Sequence, residues 1–364
     1  MRFIFLSYFK ANPIQDPEQW IDQIPYYSGI LEALAKNNEV ISLEKIQFTG
    51  ELTRNSVQYY FKKDRSPRLK AVFSLNEWVA SLKPDIVLVH SFLYPLAIFH
   101  LKLLLKGNTR VLVQNHAEKP SKGLKKWAQR WVSTKVNGFL FASRELGYSW
   151  VHSGNIASKN QIWEVMEVSS PFFPMDKKES LEKTGMKGRL KFLWVGRLES
   201  NKDPITVVKG FLSYVSIHKE ATLTMIYQTE ELLGEILGLL ENSSQKDSVT
   251  LIGKVPYNEL PVWYTSADIF ISGSHYEGSG TAVAEAMSCG CMPVLTNIPP
   301  FRMLTNNERC GFLYHPGDPD NLTKVLVGLR EEEIFFRKKL SLAYFQSHLS
   351  FQAIAERIQV LSSV

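Results

Sequence analysis

The chain has 364 residues, 45% of them apolar, 12% aromatic and 21% charged. That balance excludes a disordered or fibrous protein and supplies enough apolar side chains for two domain cores. The net charge of +6 is unevenly placed: residues 1–180 hold 24 Lys and Arg against 16 Asp and Glu, a net of +8, and residues 181–364 hold 18 against 20, a net of −2. The first half therefore reads either as a surface facing something anionic or as an ordinary basic surface.

In chain order, the opening MRFIFLSYF reads as a buried strand over 2–6, because no small-residue cleavage site follows it. Further strands are expected over 39–43, 85–89, 110–114 and 138–142, with helices over 19–36, 70–81, 94–105 and 121–135. The two prolines of Ser169-Ser-Pro-Phe-Phe-Pro-Met-Asp break this alternation. Strands then resume over 191–195, 222–226, 248–252, 268–272 and 292–296. Helices are expected over 204–216, 230–241, 281–288 and 318–329, and the tail 351–361 is amphipathic. Such alternation implies βαβ units around parallel sheets. The fold class is α/β, with two Rossmann-like doubly wound domains facing a central cleft. Their expected bounds are 1–170 and 190–364 around a linker over 171–189, and the last helix either packs on its own domain or crosses back to the first. No run of about 18 apolar residues is present, so no membrane-spanning helix is expected. Cys289, Cys291 and Cys310 lack zinc-ligand spacing and read as packing residues in a reducing compartment.

Two motifs carry chemistry. The strand KFLWV runs into Gly196-Arg197-Leu198-Glu199-Ser200-Asn201-Lys202-Asp203, and a helix opens at Pro204. Arg197 and Lys202 thus share one strand-to-helix loop, where Arg grips two oxygens at once and Lys acts as a mobile point charge. The second motif is Glu277-Gly278-Ser279-Gly280-Thr281-Ala282-Val283-Ala284-Glu285. Gly278 and Gly280 leave bare amides at a helix start, the setting for an anion, and Thr281 and Glu285 lie one turn apart. The plainer reading of these residues is two surface cations, a loop acid and an acid early in a helix.

Taken together, these residues resemble the GT-B-fold retaining glycosyltransferases of family 4. GRLESNKD is similar to that family's phosphate loop, and Glu277 to Glu285 resembles its paired-glutamate motif. YNELPVWYTSADIFISGS and GFLYHPGDPDNL are also similar, so the likeness covers residues 190–361. It implies that Arg197 and Lys202, beside Gly196 and Gly278, hold a donor diphosphate with the amides of Ser279, Gly280 and Thr281. Glu285 would bind the nucleotide ribose and Glu277 the hydroxyls of the transferred sugar. RVLVQNHAEKP resembles the family's strand-plus-His segment, which makes His116 a catalytic candidate near the anomeric carbon, with His90 a second. Two departures stand out: Ser7-Tyr8-Phe9-Lys10-Ala11-Asn12-Pro13 lacks the family's glycine pair, and Ile226-Tyr227-Gln228-Thr229-Glu230 lacks a Gly-x-Gly turn.

The resemblance implies metal-independent transfer of a hexose from a nucleotide sugar of UDP or GDP type. The acceptor would be a glycan or a lipid-linked saccharide of polysaccharide or lipopolysaccharide synthesis, with no bound cofactor and no nucleic-acid partner. Another GT-B enzyme, such as a sugar-nucleotide epimerase, or a non-catalytic nucleotide-sugar binding module stays open. A dinucleotide dehydrogenase is disfavoured because no G-x-G-x-x-G follows the first strand. In SKGLKKWAQRWVSTKV, Leu124, Trp127, Ala128, Trp131 and Val132 share one helical face, and Lys122, Lys125, Lys126 and Arg130 lie opposite. This helix suits an anionic membrane or an acceptor surface, or else a core-packed helix with a solvated basic face. The expected location is cytoplasmic, either free or peripheral at the inner face of the membrane.

Overall fold

Runs of β-branched and aromatic residues bounded by turns make fourteen strands among the described residues, and helices on the strand-to-strand crossovers cover their faces. The computed structural model describes residues 1–9, 12–63, 69–105 and 107–363. Lys10 and Ala11 of the glycine-free first loop therefore lie outside the described residues. The chain divides into two units, Met1–Ser169 with Phe351–Val364, and Ser170–Ser350.

The first unit runs β1 (Arg2–Ser7), α1 (Pro17–Gln23), α2 (Pro25–Ala35), β2 (Glu39–Lys45), β3 (Gly50–Arg54), β4 (Val57–Lys62), α3 (Leu69–Ser81), β5 (Ile86–His90), α4 (Pro95–Leu104), β6 (Arg110–Gln114), α5 (Gly123–Ser133), β7 (Gly138–Phe141), α6 (Arg144–His152) and β8 (Ile162–Glu164). Its eight strands lie in the order β3-β4-β2-β1-β5-β6-β7-β8, all parallel except the β3–β4 hairpin. One helix expected over 19–36 is two, because Pro25 lacks an N–H and pushes Ile24 out of helical geometry, to φ −119° and ψ 38°. The hairpin is not among the expected elements. Its turn is Asn55-Ser56, both at positive φ (49° and 66°), and Val57, Tyr59 and Phe61 turn inward on alternate positions.

The second unit runs α7 (Lys177–Thr184), β9 (Leu190–Gly196), α8 (Pro204–Val215), β10 (Ala221–Tyr227), α9 (Leu233–Glu241), β11 (Val249–Gly253), α10 (Leu260–Ser266), β12 (Ile269–Ser272), α11 (Thr281–Ser288), β13 (Met292–Thr296), α12 (Pro299–Leu304), β14 (Phe312–Tyr314), α13 (Pro319–Val327) and α14 (Glu331–Tyr344). Its parallel sheet has the order β11-β10-β9-β12-β13-β14. Phe192, Trp194, Phe211 and Tyr214 fill its centre, each buried aromatic contributing roughly 1.5–3 kcal/mol. The expected linker over 171–189 is corrected here, since Lys177–Thr184 is a helix docked on this unit. Lys177 Nζ donates to the carbonyls of Ser266 and Ala267 at 2.9 Å and pairs with Asp268 at 3.1 Å.

The last helix, α15 (Phe351–Ser363), belongs to the first unit and packs on α2. Ile354, Ala355, Ile358 and Leu361 are its buried stripe. Phe351 lies so close to Gly29 that a Cβ there would sit 2.5 Å from its ring. Among the described residues no helix is long and apolar enough to cross a membrane.

Candidate functional site

In the second unit the chain runs from β9 outward to β10 and β11, then returns to lay β12 on the opposite side of β9. Loops following β9 and β12 therefore diverge from neighbouring strands, the point at which open α/β sheets bind ligands. Gly273, just after β12, lets these loops touch: a Cβ there would lie 2.6 Å from the Asp203 carbonyl oxygen and 3.1 Å from that of Lys202. The His275 N–H donates to Asn201 O at 2.9 Å, and Asn201 Nδ2 donates to Tyr276 O at 3.0 Å. Asp203 takes a left-handed conformation, φ 41°, caps α8 through Thr206 N–H, and binds His275 Nε2 at 2.9 Å. Neither Gly273 nor Asn201 carried a sequence signal, because both act across 70 residues or so of chain.

This stitching sets Lys202 Nζ against Glu277 Oε1, with side chains only 22% and 14% exposed. The two residues singled out from separate motifs are thus one ion pair. Arg197 is on the same loop but is 55% exposed, and its guanidinium pairs with Glu199 at 3.0 Å rather than with the Glu277 motif. Gly280 caps α11 with φ 74° and ψ 56°, a backbone shape that an L side chain adopts only with strain. Ser279 is buried beside it. The N–H groups opening α11 have no side-chain cap, so they remain available to an anion.

Glu285 faces the interior. Tyr264 of α10 donates its O–H to Glu285 Oε2 at 2.8 Å, and the carboxyl is only 5% exposed. Burial pushes it up to about 7, while hydrogen bonds from Tyr264 and Tyr257 hold it lower than burial alone would. Among the described residues no group of three or more His, Cys, Asp or Glu side chains is gathered as a metal site.

In the first unit β1 and β5 flank the corresponding switch point, with Ser7 and His90 in register at their ends. A cavity of about 460 Å³ opens there, lined in part by Trp20, Tyr27, Glu44, His90, His116 and Glu167. His90 and His116 are directly bonded, Nδ1 to Nε2 at 2.7 Å, and Tyr27 Oη lies 2.8 Å from His90 Nε2. His116 Nδ1 is paired with the Glu167 carboxylate, completing a chain Tyr27–His90–His116–Glu167. Burial, aided by His116, holds the His90 imidazole well below its usual range. Burial also acts to lower His116, but Glu167, with Glu118 behind it, outweighs that and raises it. In Glu167→Gln the lowering effect of burial is opposed by Glu118 alone. A histidine NMR titration is expected to place the His116 midpoint lower in the variant than in the wild type. An unmoved midpoint rejects Glu167 as the cause.

Two doubly wound parallel units in one chain, each with a candidate site at its switch point, define the GT-B class of fold. Residues 176–341 match the family described as Glycosyl transferases group 1. Over 95 residues the chain is 30% identical to O-antigen chain mannosyltransferase B of Escherichia coli, covering 26% of this chain and 24% of that one. Matched stretches span 24%, 30% and 64% of the length of three curated relatives. Among solved structures, a glycosyltransferase from Rickettsia africae aligns over 100% of this chain and 97% of its own, with a TM-score of 0.74 at 13% identity. The Anabaena protein HepE in complex with UDP aligns over 100% of both chains, with a TM-score of 0.72 at 13% identity.

Proposed function

We propose that this chain is a retaining glycosyltransferase that moves a hexose-type sugar from a nucleoside-diphosphate donor to a hydroxyl of a glycan or lipid-linked saccharide. The observation that carries the reading is the Lys202–Glu277 pair at the switch point of the second unit, beside the uncapped start of α11. The family match over residues 176–341 supports it, as do the UDP in the HepE complex and the mannosyl transfer in the name of the Escherichia coli relative.

In this reading the donor's C1–O bond breaks with its electron pair going to the diphosphate oxygen. Lys202, Arg197 and the amides of Ser279, Gly280 and Thr281 stabilise the charge that grows there. Arg197 exchanges Glu199 for phosphate oxygens. Glu277, paired with Lys202 at rest, accepts hydrogen bonds from the sugar hydroxyls, and Glu285 accepts them from the ribose. The acceptor oxygen bonds to C1 on the face the leaving group vacates, and its proton passes to the leaving phosphate. No protein nucleophile is invoked. The first-unit cavity, with aromatic walls and the carboxylates of Glu44 and Glu167, suits a neutral saccharide acceptor.

A thermal-shift series tests this directly. UDP or GDP is expected to raise the melting temperature by several degrees at 100 times Kd, about 2.7 kcal/mol of linkage stabilisation. Transfer from the matching sugar nucleotide should then require an added acceptor. Stabilisation by no nucleoside diphosphate, or turnover of the sugar nucleotide without any acceptor, overturns the proposal.

A further inference from the structure

The apolar face of α5 does not face the core. Gln129, Val132 and Ser133 make its buried side, whereas Leu124 is 88% and Trp127 70% exposed, and Trp131 is also exposed. The stripe does not end with that helix. Leu96, Phe99, His100 and Leu103 of α4 lie at i, i+3, i+4 and i+7, one helical face, with Leu96 and Leu103 both about two-thirds exposed. Phe99 packs on Trp131 at 4.3 Å between ring centroids, and His100 packs on Phe73 of α3 at 4.2 Å. Phe73 is exposed as well. Three helices thus present one continuous apolar surface to solvent, an arrangement that marks an interaction site rather than scattered surface residues.

The chemistry around it selects the partner. Between Glu118 and Glu145 the chain holds Lys119, Lys122, Lys125, Lys126, Arg130, Lys135 and Arg144 and no carboxylate. Lys122 and Lys125 are exposed beside Leu124. The Arg130 guanidinium donates to the Ile156 carbonyl at 2.7 Å and is partly engaged in the fold. Glu77, one turn along α3 from Phe73, is an exposed carboxylate on the same helical face. Leucine and tryptophan side chains beside the exposed Lys122 and Lys125 match the boundary between headgroups and acyl chains of an anionic bilayer. A protein partner would need a complementary acidic, apolar-centred surface, for which nothing here argues.

We infer that the α3–α4–α5 face docks the first unit on an anionic lipid surface, with Leu124, Trp127, Leu96 and Leu103 entering the interface and Lys122 and Lys125 holding the headgroups. The full chain should co-sediment with vesicles of phosphatidylcholine and phosphatidylglycerol, weakly with phosphatidylcholine alone, and less as salt rises. Leu124→Ser with Trp127→Ser should lower the partition coefficient about tenfold or more, with the melting temperature unchanged because both side chains are solvated. Lys122→Glu with Lys125→Glu should abolish the preference for anionic vesicles. Equal sedimentation of wild type and the Leu124/Trp127 variant, or no binding to anionic vesicles, overturns the inference. So does a concentration-dependent dimer in analytical ultracentrifugation that the same variant dissolves, since the face would then join two copies of this chain. None of these measurements uses a sugar nucleotide, so their failure is separate from failure of the transferase reading.

Discussion

Lys202→Ala is expected to lower kcat/KM for sugar transfer by about 10²–10³-fold, the usual loss when one preorganised donor to a developing anion is removed. The ammonium stands where the loops after β9 and β12 meet, three-quarters or more shielded from water and already paired with Glu277. In that setting a charge acts with less screening than at the surface. Truncation also leaves Glu277 without its counter-ion, so a modest fall in melting temperature is expected beside the kinetic loss. Lys202→Ala with Glu277→Gln separates the two: it should recover the melting temperature and leave turnover depressed. Arg197→Ala should cost turnover with no such thermal penalty, because Arg197 is largely exposed and its ion pair is with Glu199, itself on the same loop. Wild-type turnover in Lys202→Ala rejects the phosphate assignment outright.

The second large effect belongs to Glu285. Its carboxyl is pushed up to about 7 in the folded protein, against about 4.3 in an unfolded chain. Between those values the folded state holds a proton that the unfolded state has released. Stability from this group is therefore fully present below about pH 4 and is lost progressively as pH rises through 7, a change of roughly 4 kcal/mol. Glu285→Gln cannot ionise, so it should melt several degrees above the wild type at pH 8 and level with it at pH 4. Above pH 7, where the wild-type carboxyl is ionised, its nucleotide affinity should fall about ten- to hundred-fold, the loss of a hydrogen bond to a charged acceptor. A carboxyl kept in the core at a stability cost fits a site residue better than a packing residue. Parallel melting curves for the two proteins across pH 5–8 would show that Glu285 is not buried as an acid.

Much of the fold was legible because βαβ units write themselves as local periodicity. The strands over 292–296 and 110–114 coincide with β13 and β6, and the helix over 281–288 with α11, since each is set by its own pattern and flanking turns. The β3–β4 hairpin was not, although Val57, Tyr59 and Phe61 alternate inward, because its Asn-Ser turn lacks the glycine that usually signals a two-residue hairpin. Strands β8 and β14 have three residues each, too few for any period to register. The break at Pro25 is a local signal, because a proline without an N–H ends one helix and opens the next, although the amphipathic pattern runs on through it.

The candidate site divides in the same way. A glycine before a helix, two cations on one loop and two glutamates eight residues apart are local features, so sequence alone determined which residue types stand at each strand end. Tertiary structure decided what they touch: β12 lying beside β9 joins Lys202 to Glu277 across 75 residues. It also turned Leu124 and Trp127 to water while their helical neighbours Val132 and Gln129 went to the core. An amphipathic pattern states that a helix has an apolar face. Which side meets the core depends on the surfaces packed against it, and those come from distant parts of the chain.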